Sequence, residues 1–157
     1  MIFEKAVIAL FKIFQYRHYR VKYKLPSDFR FNGYFIRING DGEFYAGKNC
    51  YISFFSYVNL EHGTKLEIGE KVSIGHNVKI YTSSFDPERL LKTGERQRSA
   101  KKDVKIGNNV LIGANVFICP GVVIGDNVVI GANSVVTHSL PSNSIVGGSP
   151  AKIIKGF

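Results

Sequence analysis

The chain has 157 residues, a length that fits a single domain, and 45% of its residues are hydrophobic, enough to form a core. Its formal net charge is +9, with 21 basic and 12 acidic residues, so we expect an anionic partner such as a phosphorylated cofactor, an acidic glycan, a membrane surface or a nucleic acid. The two cysteines, Cys50 and Cys119, lie inside the repeat described below. They are expected to be small core thiols rather than a disulfide framework, which favours a reducing compartment.

Residues 1–25 are predicted to form an amphipathic helix, separate from the domain that spans residues 26–157. Its apolar side chains recur at helical spacing: Ile2, Phe3, Ala6, Val7, Leu10, Phe11, Ile13 and Phe14. A cationic, aromatic stretch follows at residues 16–24. Because Lys12 interrupts the apolar run and no small-residue cleavage site follows, a signal peptide is rejected. The run is also too short to span a membrane.

Two interpretations of this helix remain open. In the first, the helix covers an open apolar end of the following domain or packs on its flank. In the second, it lies in a membrane interface, with its apolar face in lipid and its arginine and lysine side chains at anionic headgroups. The helix is predicted to end at residues 25–28, since a proline disfavours helical backbone in the residue before it.

A six-residue repeat becomes readable after the helix. Residues 29–45 are aromatic and irregular, and we expect them to form an imperfect first coil. The repeat is clear from Ala46 to Val58, is interrupted from Asn59 to Glu67, and resumes with isoleucines at positions 68, 74 and 80.

The stretch from Thr82 to Asp103 lacks the repeat, is rich in charged residues and has little apolar content. An excursion of this length from a compact fold is usually functional or disordered. Insertions in a solenoid project from one face, which is often the binding face. This loop is therefore a candidate part of the functional site.

The clearest repeats run from Val104 to Val136, where isoleucine recurs every six residues at positions 106, 112, 118, 124 and 130. The fourth position of each unit carries a residue that tolerates positive φ: Asn109, Asn115, Gly121, Asn127 and Asn133. Neither a helix nor simple strand alternation has this period, and six units in phase disfavour a β-sandwich. We predict an all-β parallel β-helix in which three units form one coil and the isoleucines fill the axis. Residues 138–157 are predicted to leave the solenoid as a C-terminal tail.

The repeats, together with the C-terminal sequences Val136–Pro141 and Gly148–Lys152, resemble those of the hexapeptide-repeat acyltransferases. The similarity is to the branch of sugar O-acetyltransferases that resemble maltose and galactoside acetyltransferases, and it covers residues 46–155. The resemblance implies a left-handed β-helix, a homotrimer and active sites in clefts between neighbouring subunits. It also implies that acetyl-CoA lies along the C-terminal coils.

The same resemblance assigns five residues to the co-substrate. By position, Ala114 and Ala132 would offer backbone groups to the pantetheine arm and Thr137 would lie near the adenine end. Lys152 and Lys155 would lie near the phosphates. The alternative for the alanines is a plain corner residue, and for the lysines a solvated tail. A basic tail beside a polyphosphate is also favourable on charge alone.

Acetyl transfer to a sugar needs a base, because a hydroxyl is a poor nucleophile until its proton is taken. The family's catalytic histidine matches Phe85 here, its acceptor-binding asparagine matches Phe55, and its acceptor-binding aspartate matches Glu61. A tryptophan often found after the loop matches Leu111. Glu61 keeps the carboxylate, whereas Phe55 and Phe85 would make an acceptor pocket more apolar and able to stack on a sugar face.

Three interpretations of Phe85 stay open. In the first, another residue is the base: His76 at a corner of the coil before the loop, His62 beside Glu61, or Asp86 in the loop. In the second, proximity and oxyanion stabilisation act without a base. In the third, the protein binds a ligand without catalysis. The structural alternatives are a corner residue for His76 and a surface turn for His62.

Two other classes are disfavoured. A carbonic anhydrase of the γ type shares the β-helix but needs three histidines on zinc at subunit boundaries. His62, His76 and His138 are far apart in sequence, and no metal site is expected. A nucleic-acid binder is suggested only by charge, because no reading helix or aromatic, basic sheet motif is present.

The sequence therefore favours a cytoplasmic, acetyl-CoA-dependent O-acetyltransferase that acts on a sugar or glycan in capsule or lipopolysaccharide synthesis. In this hypothesis residues 2–24 hold the enzyme at the inner face of the membrane, near a lipid-linked acceptor. The alternative is a non-catalytic trimeric scaffold or binding protein with a degenerate site, which Phe55 and Phe85 support.

Overall fold

The computed structural model describes residues 2–157, except the side chains at positions 2–4, 8, 12 and 98–100. The chain begins with α1 (Ile2–Leu10), a π-helical stretch (Phe11–Tyr16) and α2 (Arg17–Lys22). The side chains of Ile2, Phe3 and Lys12, which belong to the predicted amphipathic pattern, lie outside the described residues. No helix within residues 2–157 combines the length and the apolarity that crossing a membrane requires.

The rest of the chain consists mainly of short strands. In chain order these are β1 (Arg30–Asn32), β2 (Arg37–Gly40), β3 (Glu43–Ala46), β4 (Tyr51–Ser53), β5 (Tyr57–Leu60), β6 (Lys65–Ile68), β7 (Ser73–Ile74), β8 (Lys79–Tyr81), β9 (Ser83–Phe85), β10 (Arg98–Lys101), β11 (Val104–Ile106), β12 (Leu111–Ile112), β13 (Phe117–Ile118), β14 (Val123–Ile124), β15 (Val128–Ile130), β16 (Val135–Val136), β17 (Ser144–Gly147) and β18 (Lys152–Gly156). A third helix, α3 (Pro87–Thr93), lies between β9 and β10.

Three parallel sheets form the three faces of a prism. The first face contains β1, β4, β7, β12, β15 and β17, the second contains β2, β5, β8, β13 and β16, and the third contains β3, β6, β11 and β14. We call the turns that follow the first, second and third faces the first, second and third corners. Each coil places one strand on each face in turn, which is the architecture of the predicted parallel β-helix.

Buried isoleucines fill the axis of the prism. Those at positions 106, 112, 118, 124 and 130 are each at most 1% exposed. Equivalent residues of neighbouring C-terminal coils are 18 positions apart, as for Asn115 and Asn133. Three six-residue units therefore make one coil, as predicted.

The fourth position of each unit has the left-handed backbone that the sequence predicts. Asn109, Asn115, Gly121, Asn127 and Asn133 have φ angles between 54° and 81°. Their side chains also stack between coils. On the first corner Asn77 donates to Asn115 at 2.9 Å, and Asn115 donates to Asn133 at 3.0 Å. The asparagines thus form the turn and bind one coil to the next.

The first coil is more regular than its sequence predicts. Its strands pair in register with the next coil, with Phe31 opposite Ile52 and Phe44 opposite Leu66. All four side chains are at most 5% exposed. Aromatic rings take the place of isoleucine on two faces of this coil, and Ile38 faces inward on the other, opposite Val58. The inward positions are therefore occupied as in later coils, although the six-residue pattern is lost from the sequence.

The N-terminal helix covers the open end of this first coil. Tyr16, Tyr19 and Tyr23 are at most 8% exposed, and the ring of Tyr16 stacks on Phe31 with centroids 4.4 Å apart. The Tyr16 hydroxyl donates a hydrogen bond to the Gly33 carbonyl at 3.0 Å. The helix therefore covers the end of the prism, as in the first interpretation. The second interpretation, contact with a membrane, concerns the opposite face of the helix.

The interruption predicted from Asn59 to Glu67 is narrower than expected. β5 and β6 occupy most of it, and only the turn at residues 61–64 departs from the coil. Leu60 and Leu66 are 1% and 0% exposed. The inward alternation of a strand continues on both sides of the turn, although the turn shifts the sequence phase.

The long excursion from Thr82 to Asp103 folds as a hairpin. β9 and β10 pair antiparallel, and α3 between them begins at the N-cap residue Asp86 and ends at Gly94. The Lys102 amide donates to the Thr82 carbonyl at 2.9 Å and closes the base of the hairpin. Equivalent residues on either side of this insertion are 38 rather than 18 positions apart, a difference of 20. The coils therefore keep their register around the hairpin.

The chain does not leave the prism after Val136 as the sequence suggested. Leu140 forms a parallel bridge with Ile124, and β17 pairs in parallel with β15. β18 then turns back and pairs antiparallel with β17. Leu140 and Val146 are 7% and 0% exposed, and they lie 16 positions beyond their partners Ile124 and Ile130. The inward apolar positions therefore continue in the predicted tail, in a coil two residues shorter than the one before it.

Candidate active site

The residues singled out in the sequence lie on two corners of the prism. The second corner and its hairpin carry Glu61, His62, Phe85, Asp86 and Thr137, and the first corner carries Phe55, His76, Ala114 and Ala132. Lys152 and Lys155 lie on β18, at the C-terminal edge of the first face. The structure therefore does not bring the whole set together within one chain.

A cleft of about 550 Å³ opens between the hairpin and the second face. Tyr81, Phe85 and Phe117 line it with aromatic rings. The rings of Tyr81 and Phe117 stack with centroids 5.1 Å apart and planes at 20°, and Tyr57 continues the row 5.8 Å from Tyr81. This row is a half-buried aromatic surface, with the Tyr57 ring tilted by 44° from that of Tyr81, and a ring-shaped ligand can pack against it.

Polar groups line the other parts of the cleft, namely Asn59, Ser83, Ser84 and Lys102. Cys119 is also in the lining, and burial raises the pKa of its thiol. Burial and the neighbouring Tyr57 raise the pKa of Tyr81 as well. Both Cys119 and Tyr81 therefore stay protonated near neutral pH, where they can donate hydrogen bonds but cannot take a proton.

Glu61 is held beside the cleft by buried hydroxyl groups. Its backbone amide donates to Thr82 Oγ1 at 2.8 Å, and its carbonyl accepts from Thr64 Oγ1 at 2.7 Å. Its carboxylate accepts a hydrogen bond from Ser83 Oγ at 3.2 Å and lies 3.6 Å from Lys101 Nζ. The Glu61 side chain is only 14% exposed, so the carboxylate has a fixed position at the base of the hairpin.

None of the four histidines of the chain, all within the described residues, lines the cleft. His62 is exposed in the turn next to Glu61. His76 is exposed on the first corner, with its ring centroid 5.3 Å from that of Phe54. His138 Nδ1 lies 2.8 Å from Thr137 Oγ1.

The remaining candidate base, Asp86, has a structural contact of its own. Its carboxylate accepts a hydrogen bond from the Arg89 amide at 3.0 Å and caps α3. Phe85, the residue before it, lines the cleft with 58% of its surface exposed. Within one chain, the position that the resemblance assigns to a base is therefore occupied by an apolar ring.

Phe55 belongs to an aromatic cluster on the first corner. Its ring stacks on Phe35 with centroids 5.8 Å apart, and Tyr34 contacts it edge to face at 5.7 Å. Phe11 of the π-helical stretch extends the cluster by an edge contact to Phe35 at 5.1 Å. This exposed aromatic surface is continuous with the N-terminal helix and separate from the cleft.

The residues assigned to the co-substrate are arranged along the C-terminal coils. Ala132 lies one coil beyond Ala114 on the first corner, and the Asn133 amide donates to the Ala114 carbonyl at 2.9 Å. Lys152 and Lys155 are exposed on β18. In the described part of the chain, no group of three His, Cys, Asp or Glu side chains is placed to hold a metal ion.

Sequence reasoning did not find Ser83, Thr82, Thr64 or Lys101, which position Glu61, nor the aromatic row on the second face. Thr82 and Ser83 directly follow the last strand before the insertion. Thr82 and Ser83 could therefore have been predicted from their position at the base of the loop, because insertions in a solenoid often form the binding face.

Residues 103–138 match the bacterial transferase hexapeptide model, which describes six repeats. No curated protein matches the sequence. A hexapeptide-repeat acetyltransferase from Vibrio cholerae O1 biovar eltor, solved with acetyl coenzyme A, is 26% identical with a TM-score of 0.66, over 90% of this chain and 77% of that one.

Two further solved structures are similar to the chain. A maltose O-acetyltransferase from Clostridium difficile 630 is 36% identical with a TM-score of 0.57, over 85% of this chain and 65% of that one. A galactoside acetyltransferase in complex with coenzyme A is 28% identical with a TM-score of 0.56, over 90% of this chain and 70% of that one. These similarities confirm the predicted left-handed parallel β-helix.

The repeat match covers residues 103–138, and these structural matches cover 85% to 90% of the chain. Residues 103–138 therefore carry the hexapeptide repeat of bacterial transferases, and by its fold the chain is similar to hexapeptide-repeat acetyltransferases, with maltose and galactoside O-acetyltransferases among its structural neighbours.

Proposed function

We propose that the protein is an acetyl-CoA-dependent O-acetyltransferase that acts on a hydroxyl group of a sugar or glycan in surface polysaccharide synthesis. The cleft at the hairpin is the observation that carries this proposal, because it combines an aromatic row with hydrogen-bonding groups. Similar enzymes were solved with acetyl coenzyme A and with coenzyme A, at 26% and 28% identity, which supports the co-substrate.

The first corner is the proposed site of acetyl-CoA. Ala114 and Ala132 are stacked on successive coils there, and they would offer backbone groups to the pantetheine arm. The chain continues from this corner into β18, where the exposed Lys152 and Lys155 would bind phosphates. Thr137 lies on the second corner and would contact the adenine end. The net charge of +9 favours a polyphosphate ligand.

A homotrimer is proposed because the two sets of residues are on different corners of one prism. The first corner carries the co-substrate residues, His76 and Phe55, whereas the second carries the cleft and Glu61. If the first corner of one subunit faces the second corner of the next, both sets line one intersubunit site. Closed cyclic symmetry repeats that contact in every subunit.

Within this site the aromatic row and Phe85 would stack on the sugar ring, and Glu61 would fix the acceptor through hydrogen bonds. The acceptor hydroxyl then attacks the thioester carbonyl while a base takes its proton. His62, His76 and Asp86 remain candidate bases, with Phe55 as an acceptor contact from the first corner. Protonated Tyr81 and the cation of Lys102 are available to stabilise negative charge.

Release of free CoA tests the proposal. Purified protein is incubated with acetyl-CoA and a panel of sugars, nucleotide sugars and short glycans, alongside His62→Ala and His76→Ala. We expect CoA release that depends on the acceptor. Loss of turnover in one histidine variant would identify that histidine as the base. Survival of turnover in both variants would mean that Asp86 or another group is the base, or that proximity alone drives the reaction.

The alternative is a trimeric binding protein without catalysis. It is favoured by Phe85 in the cleft and by the absence of a histidine from the cleft lining of the described chain. This alternative predicts that acetyl-CoA binds, as measured by calorimetry, while no acceptor in the panel releases CoA. Failure of acetyl-CoA to bind would contradict the enzymatic proposal at its first step.

We also propose that residues 2–24 bind an anionic membrane at the cytoplasmic face, where a lipid-linked acceptor would be found. Leu10, Ile13 and Phe14 are 55%, 57% and 70% exposed, while tyrosines on the other side of the helix cover the prism. Exposed basic residues, among them Arg17, lie beside them. An apolar face with a cationic border suits a lipid interface.

Co-sedimentation with vesicles tests this membrane contact. Wild-type protein should bind vesicles that contain phosphatidylglycerol, and a variant with Leu10, Ile13 and Phe14 changed to Gln should lose most of the binding. Leu91→Gln, at an 86% exposed leucine on α3, is the control for surface hydrophobicity. Equal sedimentation of the triple variant and the wild type would show that this face does not bind membrane. Deletion of residues 1–24 is a weaker test because it also uncovers the first coil.

A further inference from the structure

We propose that Ser83 and Glu61 form a proton relay, in which Ser83 takes the proton of the acceptor hydroxyl and passes its own proton to the Glu61 carboxylate. This inference rests on the proposed acetyl transfer. The relay differs from the candidate bases named above, because the proton finally goes to Glu61, whose carboxylate is connected to the cleft by the hydroxyl group of Ser83.

Ser83 connects the cleft to Glu61. It is among the residues that line the cleft, and its Oγ donates to Glu61 Oε2 at 3.2 Å. Ser83 is 5% exposed, so its hydroxyl is largely shielded from bulk water. A ligand in the cleft would therefore meet a hydroxyl group that is already hydrogen-bonded to a carboxylate.

The other groups in the cleft lining cannot accept a proton at neutral pH. The pKa values of Tyr81 and Cys119 are raised by burial, and Lys102 is a cation. Asn59 and Ser84 have no basic form in this range. The Glu61 carboxylate, by contrast, is a base in direct hydrogen-bond contact with a residue of the cleft lining, Ser83.

Glu61 is positioned for this role rather than free to move. Thr82 and Thr64 bind its backbone from both sides, with contacts of 2.8 and 2.7 Å. Lys101 Nζ lies 3.6 Å from Oε1, the oxygen that does not bind Ser83. Lys101 therefore balances the charge of one carboxylate oxygen while the other faces the serine.

The step balances without any further reactant. The acceptor oxygen bonds to the thioester carbon, its proton goes to Ser83 Oγ, and the Ser83 proton goes to Glu61. The carbonyl electrons form an oxyanion, which then returns them and breaks the carbon–sulfur bond. The CoA thiolate leaves and recovers the proton from Glu61 through Ser83, which restores both residues.

The test compares Ser83→Ala, Glu61→Gln and the double variant for CoA release with the best acceptor of the panel. A positioned base contributes about 10²- to 10⁴-fold to rate, so each single variant should lose about 100-fold or more in kcat. The double variant should lose no more than either single variant, because both changes interrupt one relay. The KM for acetyl-CoA should stay within about twofold, since the relay takes no part in binding it.

Conservative variants separate chemistry from structure. Ser83→Thr keeps a hydroxyl and should recover part of the activity that Ser83→Ala loses. Glu88→Gln, at an exposed glutamate paired with Lys92 on α3, is the control for removing a carboxylate from the hairpin and should keep wild-type kcat. Cooperative unfolding at a similar temperature shows that each variant is folded.

Two results would overturn the relay. Retention of more than half of kcat in folded Glu61→Gln would show that its carboxylate takes no proton. Losses in Ser83→Ala and Glu61→Gln that multiply in the double variant would show that the residues act separately. Both results presuppose an active wild-type protein, whereas a wild type that releases no CoA with any acceptor contradicts the proposed function and the relay together.

Discussion

Phe55 lies parallel to Phe35 on the first corner, with ring planes 17° apart and both backbones in the left-handed region, at φ 61° and 56°. In later coils the equivalent corner position is occupied by Asn77 and Asn115, whose side-chain amides are hydrogen-bonded to each other. A left-handed backbone costs an ordinary L-residue about 1–2 kcal/mol. The chain therefore carries strain here in order to present two stacked rings.

Replacing Phe55 by Asn should stabilise the fold and weaken acceptor binding. Asparagine tolerates the left-handed backbone, and Phe55 is 51% exposed, so little packing is lost. We expect the free energy of unfolding in urea to rise by about 0.5–1 kcal/mol and the acceptor KM to rise. Phe157→Asn, at a 77% exposed ring without positive φ, is the control. An unchanged acceptor KM would remove Phe55 from the acceptor site.

Tyr16→Phe should destabilise the covered end of the prism. The hydroxyl donates to Gly33 at 3.0 Å and accepts from the Ile36 amide at 3.4 Å, and buried groups that lose a partner cost about 1–3 kcal/mol. Burial also raises the pKa of Tyr16 to about 12 from 10.0. The phenol is thus neutral in both states below pH 10, and between pH 10 and 12 only the unfolded state ionises, so the wild type loses stability.

The difference in unfolding free energy between wild type and Tyr16→Phe should therefore narrow as pH rises from 10 toward 12. Urea unfolding at a series of pH values measures it. Tyr34→Phe, in the same coil, is the control for losing a tyrosine hydroxyl. A difference that stays constant over this range would contradict the burial of the Tyr16 phenol.

Cys119 should be the thiol that reacts first in the folded protein. It lines the cleft, whereas Cys50 is 1% exposed and its thiol donates to the Gly69 carbonyl at 3.1 Å. Because burial raises the pKa of the Cys119 thiol, its thiolate forms at a higher pH than that of a free cysteine. The rate of alkylation should therefore begin to rise at a higher pH than for a free cysteine.

Mass spectrometry after iodoacetamide treatment checks this prediction. One label per folded chain is expected, none in Cys119→Ala, and slower labelling when the acceptor is present. Equal labelling of Cys50 would mean that the coils open on the timescale of the reaction.

Removal of the hairpin should leave the prism folded and abolish activity. Residues 83–102 account for the excess over the 18-residue coil, so joining Thr82 to Asp103 restores an uninterrupted repeat. Asp103 would then match Gly121, which has a φ of 81°, and the deletion should include Asp103→Gly. Circular dichroism and thermal unfolding measure the fold, and CoA release measures activity. Asp103→Gly in the full chain is the control, and a deletion variant that does not fold would show that the hairpin supports the core.

The sequence predicted the coils from their spacing, because the isoleucine and asparagine positions each have a direct physical role. It failed where another residue type occupies the same position in space. Phe31 and Phe44 face inward in the first coil as isoleucines do in later ones, and Leu140 continues the inward positions after Val136 in a coil of 16 residues. A periodicity based on residue identity does not detect these substitutions.

The candidate site was harder to predict because it depends on contacts across the prism. Ser83 meets Glu61 because β8 pairs with β5, which places residues separated by 22 positions on neighbouring coils. Neither residue is unusual in its local sequence. The position of Phe85 in the cleft could be predicted from the resemblance, whereas the aromatic row formed by Tyr81 and Phe117 requires the register of β8 against β13.

A stack of parallel coils has no intrinsic length, and each terminal coil presents unpaired strand edges that can recruit another chain. Here the tyrosines of the N-terminal helix occupy one end, and β18 runs against the direction of β17 at the other end of the first face. A further parallel coil cannot continue that sheet. We infer that these two coverings disfavour the end-to-end addition of a second chain along the axis of the coils.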